Sequence, residues 1–495
     1  MLRSLLKSIS LVLLLAVSAT GSIEAQLISL RTVPVASGDQ FVIFPSTYLG
    51  MGGVGIALDD PIGDPFTNPA TASRVEQSYV FSAPIFYSIT RNSGSARTLP
   101  VGALFNSERW FGGVVAVMQD LDRGGELFGW DPFIGPTGPT LGSTSAVNKY
   151  VNLTVGHTLP SGLAFGGSVL LSDLGAVDGV EHLYANATDI RQAGNMQTFR
   201  LGVSQIFDED GALEVSLIHH LFNMTHNVSY IEWGDLDTLT WQRESFLREE
   251  VNQDRSRTWG ANISYHQSIG EDGWRLGGTL TGNRKSHPKI PNYELMNIPR
   301  DPGFSNAFDF GLGIAKLTES TVFGIDVVFQ PAMSETWAEA DGPTATVKGD
   351  TIPDGGKTVE NSFAFSNAFV NLGLTHHFES VSLQFGLAIR SYDYHLDQWN
   401  NVEDTFRMQD ESWTEWVPSW GWIFHLTDLD VQYMGRVTTG TGRPGVAGTG
   451  GVFWQDRVTL ASSGGNDILL APSGQLTLTD VSVITHQISV SIPIR

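Results

Sequence analysis

From Ser78 onward the chain repeats one pattern: an alternating segment, a very short turn, another alternating segment, then a long polar loop. Alternation with period two puts successive side chains on opposite faces of a strand. In 381–391, Val381, Leu383, Phe385, Leu387 and Ile389 are apolar, whereas Ser382, Gln384, Gly386, Ala388 and Arg390 are small or polar. Trp259, Ala261, Ile263 and Tyr265 alternate in the same way with Asn262, Ser264 and His266, as do Phe323, Ile325, Val327 and Phe329 around Asp326. Near the end, Ile484, Ile488, Val490, Ile492 and Ile494 oppose Thr485, Gln487, Ser489 and Ser491. The charged residues Arg200, Glu214, Arg275, Asp326, Arg390, Asp430 and Arg436 all fall on the polar face. Lipid on the other face explains this, because a lipid-facing Arg costs about 2–4 kcal/mol at the bilayer midplane.

The short turns are Asn106–Arg109, Pro160–Gly162, Asp208–Gly211, Gly270–Gly273, Thr318–Ser320, Phe378–Ser380 and Leu426–Leu429, most of them built from Gly, Asp, Ser or Pro. Seven hairpins with an opening and a closing strand predict sixteen strands; fourteen is the alternative if a weak hairpin is miscounted. The predicted spans are 78–90, 98–106, 109–118, 147–159, 162–172, 196–207, 212–224, 257–268, 273–284, 306–317, 321–331, 362–377, 381–393, 414–425, 429–437 and 480–494. Most reach the roughly 9–11 residues that a tilted strand needs to cross a membrane. A soluble β-sandwich also alternates, but it does not require short turns at one end and long loops at the other. Trp416, Trp420 and Trp422 share a face with Phe424, as an interfacial girdle would. The fold expected is all-β: an antiparallel transmembrane β-barrel.

Composition agrees. Charged residues are 16% of the chain and aromatics 10%, with 54 Gly, yet mean hydropathy is only -0.03. A two-residue period averages lipid-facing and lumen-facing residues to neutrality. Arg3 and Lys7 precede the apolar run Ile9–Val17, with cleavage expected after Ala25 or, as the alternative, Ala19. Residues 1–25 thus read as a signal peptide for export to a bacterial outer membrane, and no later stretch has the ~18 apolar residues of a membrane helix. The chain has no Cys, which removes thiol chemistry and disulfides. A formal charge of -23 argues against nucleic acid. The acidic, aromatic-rich loops around Leu121–Asp131, Tyr230–Leu239 and Trp399–Trp413 read as a solvated rim ahead of a divalent-cation site.

Residues 26–77 do not alternate cleanly and are rich in Gly, Pro and Asp, and their size suits a plug. Met51-Gly52-Gly53 and Gly55 permit close backbone approach, and Asp60-Pro61, Asp64-Pro65 and Asn68-Pro69 enforce turns. Met51-Gly52-Gly53-Val54, Ala57-Leu58-Asp59-Asp60-Pro61 and Asn68-Pro69-Ala70 resemble motifs of FadL-type outer-membrane transporters of long-chain fatty acids and other hydrophobic compounds, and of the related PorV-type proteins of type IX secretion. About twenty residues carry the resemblance. It implies a hatch over 26–77, a barrel over 78–495, and hydrophobic cargo that leaves sideways through a wall defect. Candidate defects are Gly112-Gly113 in the third strand, where such families have a kink, and Pro84 in the first; equally, the two glycines relieve crowding against the plug. The chain departs from the family pattern in having sixteen strands where fourteen are usual, Val at 54 where Ala is favoured, and a final Arg495 where barrels commonly carry an aromatic.

The implied partners are outer-membrane lipid, a hydrophobic small-molecule ligand and other envelope proteins. No cofactor or metal is implied. His219-His220 and His376-His377 are adjacent on strands, so each pair points to opposite faces and does not chelate. The Gly-rich run Gly440–Gly445 reads as a flexible loop, and Gly355–Thr358 lacks the spacing of a phosphate loop. His157, His219 and Ser216 do not differ in spacing from ordinary wall residues, so no catalytic residue is assigned. Lumen-side Arg200, Arg275, Asp326, Arg390 and Arg436 suit a carboxylate head group or, the favoured reading, ion pairs with the plug, because a buried charge must be compensated. The readings rank as transporter, then non-transporting scaffold or secretion partner, then enzyme.

Overall fold

The computed structural model describes residues 27–32, 34, 36, 38–91, 93–122, 129–131, 135–137, 145–179, 189–207, 211–233, 245–287, 303–340, 342–426, 429–444 and 478–494. The expected signal peptide, most of the Asp208–Gly211 turn, the middle of Leu426–Leu429 and Arg495 lie outside these residues.

Seventeen strand segments pair into one sheet, and two of them are halves of a strand interrupted at Ala83–Pro84, giving sixteen wall strands. They are β1 (Tyr79–Ser82 with Ile85–Ile89), β2 (Ser95–Asn106), β3 (Trp110–Asp122), β4 (Ser145–Thr158), β5 (Ala164–Leu174), β6 (Asp189–Phe207), β7 (Gly211–Trp233) and β8 (Ser245–Ile269). The other half is β9 (Trp274–His287), β10 (Gly303–Leu317), β11 (Thr321–Glu339), β12 (Lys357–His377), β13 (Val381–Asn400), β14 (Thr405–His425), β15 (Asp430–Pro444) and β16 (Leu478–Pro493). Each pairs antiparallel with its sequence neighbours, and β1 closes the ring on β16 through Tyr79↔Pro493 and Ile85↔Gln487. Closure leaves no edge strand, which a lipid environment demands of any sheet. Among the described residues no helix is long and apolar enough to cross a membrane.

The faces follow the alternation. Ser382, Gln384 and Ala388 are buried while Phe385 is 57% exposed, and Trp259 is 63% exposed beside buried Thr258. Trp416, Trp422 and Phe424 project outward from β14. Several strands run well past their expected upper ends: β8 starts at Ser245 and not 257, β14 at Thr405 and not 414, and β7 continues to Trp233. Above the lipid layer both faces of a strand meet water or the lumen, so alternation fades at Arg248–Arg255 while the backbone ladder continues. Of the run expected as a loop, Gly440–Pro444 instead lies in β15: Gly440 sits at a register shift and Thr441–Pro444 pair with Leu478–Val481. Backbone pairing overrides its Gly-rich composition.

The described residues of 27–77 lie against inward-facing side chains and carry only short helical turns, Leu49–Met51, Asp64–Thr67 and Pro69–Arg74. Phe44 stacks on Phe66 at 4.2 Å, and the pair packs with Tyr79, Phe81, Leu104, Val115, Tyr150 and Leu170 of the wall.

Candidate functional site

The lower lumen, on the short-turn side, holds the Gly- and Asp-rich motif. Met51 is fully buried, and Gly52 and Gly53 have φ of 71° and 78°, a left-handed region that disfavours side chains. The Gly52 amide donates to Ser419 Oγ (2.9 Å), which donates in turn to the Gly50 carbonyl (3.0 Å). Thr47 presents its carbonyl to the Nε2 groups of both Gln384 and Gln432. Asp326 of β11 accepts from the amides of Gly55 (2.8 Å) and Ile56 (3.2 Å). The wall meets this segment with glycines. A Cβ at Gly386 would lie 2.0 Å from the Gly52 nitrogen, at Gly277 2.1 Å from the Ile56 carbonyl, at Gly373 2.4 Å from the Met51 carbonyl, and at Gly166 2.5 Å from Pro69. Hatch backbone therefore rests on wall backbone around much of the ring.

The acidic residues of the motif play three different parts. Asp60 folds the hatch on itself, accepting from Ser46 and Thr47 and from the amides of Ile62 and Gly63. Asp59 faces the wall: its carboxylate meets Arg74 of the hatch (2.9 Å), Arg275 of β9 (2.9 Å) and His266 of β8 (3.2 Å). Burial alone would raise the Asp59 carboxyl, but the His266 hydrogen bond and the two guanidinium charges outweigh it and hold it well below the usual carboxylate range. Asp64 goes the other way, raised by burial first and then by the negative charges of Asp60 and Glu214. Asn68 caps the turn that follows, its side-chain oxygen accepting from the Ala70 amide (3.1 Å) with Pro69 in the first helical position. Its amide nitrogen reaches the Val203 carbonyl of β6, and Arg74 pairs with Glu214 of β7 at 2.6 Å. A cavity of about 850 Å³ opens beside this cluster at the short-turn end, lined by Asp59, Arg74, Tyr79, Ile206, His266 and Arg275 among others.

The upper lumen is different. There the start of the N-terminal arm lies on an apolar wall patch of Phe363, Phe365, Tyr394, Leu396, Ala307 and Ala332, against which Ile28 and Leu30 of the arm and Trp413 of β14 pack. The Phe363, Phe365 and Tyr394 rings lie 5.6–6.0 Å apart. The Tyr394 hydroxyl and the Trp413 indole nitrogen are buried without a hydrogen-bond partner. Arg31 stands over the Tyr392 ring and pairs with buried Glu415 at 2.7 Å. Further along, Ala36 and Pro34 exchange backbone hydrogen bonds with Gly442 of β15. Asp39 pairs with Arg436 at 2.6 Å and accepts from Thr485; burial opposes its ionisation, but Arg436 outweighs burial and keeps the carboxyl low, with Arg390 adding charge of the same sign.

Of the charged lumen residues singled out in the sequence, Arg275, Asp326, Arg390 and Arg436 thus face hatch groups, while Arg200 lies near His220. The wall positions behave unequally. Pairing runs in register through Gly112 and Gly113 on both sides, and the crowding they relieve comes from Phe105, Leu104 and the Thr154 carbonyl, all in the wall. Pro84 interrupts β1 where it closes on β16, although the ladder keeps its register across the gap and the Pro84 carbonyl still accepts from Ile488. His219 stacks on Trp259 at 3.9 Å and His220 meets Thr198 inside. Lys357 of the Gly355–Thr358 run pairs with Glu360.

Two features escaped the sequence reading. The glycine seat did, because an inward Gly looks like any small lumen residue. So did a hydrogen-bonded chain at the lower rim: His377 Nδ1 to Ser382 Oγ (2.8 Å), Ser382 Oγ to His425 Nε2 (3.1 Å), and His425 Nδ1 to Asp430 (2.9 Å). These are cross-strand neighbours on β12–β15, invisible as sequence spacing. The order is that of a serine–histidine–aspartate triad, but Ser382 is fully buried and its hydroxyl is already held by two imidazoles, so no substrate carbonyl reaches it in this structure.

The fold and the filled lumen define a transmembrane β-barrel of the outer-membrane kind, plugged by its own N-terminal segment. No protein-family model and no curated protein matches the chain. Among solved structures it is similar to a Pseudomonas aeruginosa FadL homologue, at 11% identity over 93% of this chain and 100% of that one, with a TM-score of 0.42. It is also similar to the Pseudomonas putida toluene transporter TodX (10% identity, 94% and 100% covered, TM-score 0.40) and the Ralstonia pickettii toluene transporter TbuX (9%, 92% and 100%, TM-score 0.39).

Proposed function

We propose that the protein carries hydrophobic small molecules, fatty acids among them, across the outer membrane through the lumen of its plugged barrel, with lateral exit through the wall as part of the route. The observation that carries this is the apolar, aromatic patch on the inner face of β10–β14, where a water-filled pore would have polar side chains. An inward apolar surface is of no use to hydrophilic solutes, and aromatic side chains bury large area per residue. The hatch below it keeps the lumen from acting as an open pore. The second reading, a non-transporting scaffold or secretion partner, is favoured by the strands that rise beyond the lipid layer, which present broad outer surfaces to envelope proteins. Extracting the purified barrel and identifying co-purifying molecules separates the two. The transport reading expects apolar ligands retained in the parent protein and depleted in a Phe365→Asp variant. Ligand-free protein that co-purifies with a stoichiometric envelope protein would support the scaffold.

A further inference from the structure

Around the upper lumen, cross-strand pairing aligns two rungs of inward-facing residues. One runs Lys285–Ser305–Ser334–Phe363–Leu396, and the next runs Asn283–Ala307–Ala332–Phe365–Tyr394. Neighbouring strands stand about 4.8 Å apart, so each rung passes from a polar end on β9–β10 to an aromatic end on β12–β13 within ~20 Å. At the polar end lies a cavity of about 160 Å³, walled by Asn283, Lys285, Ser305, Ala307 and Ser334 and covered by Ile28 and Leu30 of the arm, with Ser29 between them. Both amide atoms of Asn283 are buried there without a hydrogen-bond partner. The charges near Lys285 are Asp254 of β8 and, on the lumen face, His220 with Arg200. Orphaned buried amide groups are costly and are retained where a ligand or water satisfies them.

We infer that this cavity is a binding site for a compact monocarboxylate with an apolar body, such as an aromatic acid. The inference rests on the reading of the lumen as a ligand path and names the chemistry of one stop along it. The ammonium of Lys285 and Nδ2 of Asn283 donate to the carboxylate, as charge-assisted hydrogen bonds favour. Asn283 Oδ1 is open to a hydroxyl on the same molecule. Ile28, Leu30 and Ala307 enclose the apolar body, and the small volume selects a ring or short chain over a long alkyl tail.

The test is calorimetric titration of the full-length protein in detergent with benzoate, with benzyl alcohol as its neutral counterpart and with dodecanoate as a long-chain acid. Benzoate is expected to bind at least tenfold more tightly than either. Lys285→Met is expected to weaken benzoate at least tenfold while leaving benzyl alcohol unchanged, with gel mobility of unheated samples verifying the folded barrel. Asp254→Asn, which removes the competing carboxylate, is expected to strengthen benzoate binding. Equal binding of benzoate and benzyl alcohol, unchanged benzoate affinity in folded Lys285→Met, or equal affinity for dodecanoate overturns the assignment. Failure of the transport reading looks different: benzoate binds as expected, yet cells with and without the protein accumulate hydrophobic compounds equally.

Discussion

The two ends of the lumen are closed by the same N-terminal segment in opposite ways. Below, residues 46–74 meet the wall backbone to backbone on glycines, with Asp59, Arg74 and Asp326 tying hatch to barrel through ion pairs and amide hydrogen bonds. Above, the arm covers an aromatic wall mainly with Ile28 and Leu30, and buried donors on Tyr394 and Trp413 stay unpartnered. A region whose backbone interlocks with the wall and whose carboxylates are held by cations and amides is specified for one arrangement. A region with apolar side-chain cover over an aromatic wall has the composition of a binding site. The lower lumen is built to hold, and the upper lumen offers the surface that the proposed cargo route requires.

The most severe way to break this contrast is Gly386→Val. Its Cβ would meet the Gly52 nitrogen at 2.0 Å, backbone that cannot move aside alone. The cost is expected to exceed the about 1–3 kcal/mol usual for overpacking, and single-channel recordings should show an unplugged barrel with raised conductance. A conductance like that of the parent would mean that the hatch does not depend on its glycine seat. Next comes Arg31→Ala, which strands Glu415 in the wall and should cost about 3 kcal/mol at the upper end alone. Limited proteolysis is the readout: cleavage within the arm should rise while the hatch below stays protected.

Asp59→Asn is expected to cost about 1–2 kcal/mol, discounted because its carboxylate is partly exposed. The same ion cluster sets a pH dependence. Because the folded-state carboxyl of Asp59 is depressed, its contribution is fully present above the ordinary aspartate value near ~3.9 and is lost as pH falls through the lower folded value. The Asp59 contribution to hatch docking, read as the difference between the parent and the Asn variant in urea titrations, should therefore be flat from pH 7 to ~5 and shrink only below ~4. Smallest is Ser382→Ala, which breaks the rim chain between His377 and His425 for about 1 kcal/mol. Hydrolysis of an ester by the parent, lost in this variant, would contradict the non-enzymatic reading of the rim.

Strand number and face were legible because lipid imposes a period of two that nothing else in the chain imitates. Val381 to Ile389 could be read outward and Ser382 to Arg390 inward without any contact being known. Legibility stopped where lipid stopped. The upper parts of β8 and β14 pair just as regularly, yet Arg248–Arg255 and Phe406–Ser412 carry no apolar stripe to announce it. The hatch motif was legible as letters, Met51 to Ala70, but its seat was not, since Gly166, Gly277, Gly373 and Gly386 come from strands far apart in sequence. The aromatic patch was hidden for a related reason: Phe363, Phe365 and Tyr394 face inward, where polar residues are the rule for the lumen. Lys285 and Asn283 meet Ile28 only because closure of the ring brings the arm over β9.

The central claim is that hydrophobic molecules pass through this barrel. It is tested most directly by the accumulation of labelled fatty acids in cells that express the protein and in matched cells that lack it. Accumulation is expected to be faster with the protein and reduced by Phe365→Asp, while a hydrophilic tracer is unaffected. Equal accumulation in both cell types, with no lipid retained on the purified protein, would contradict it.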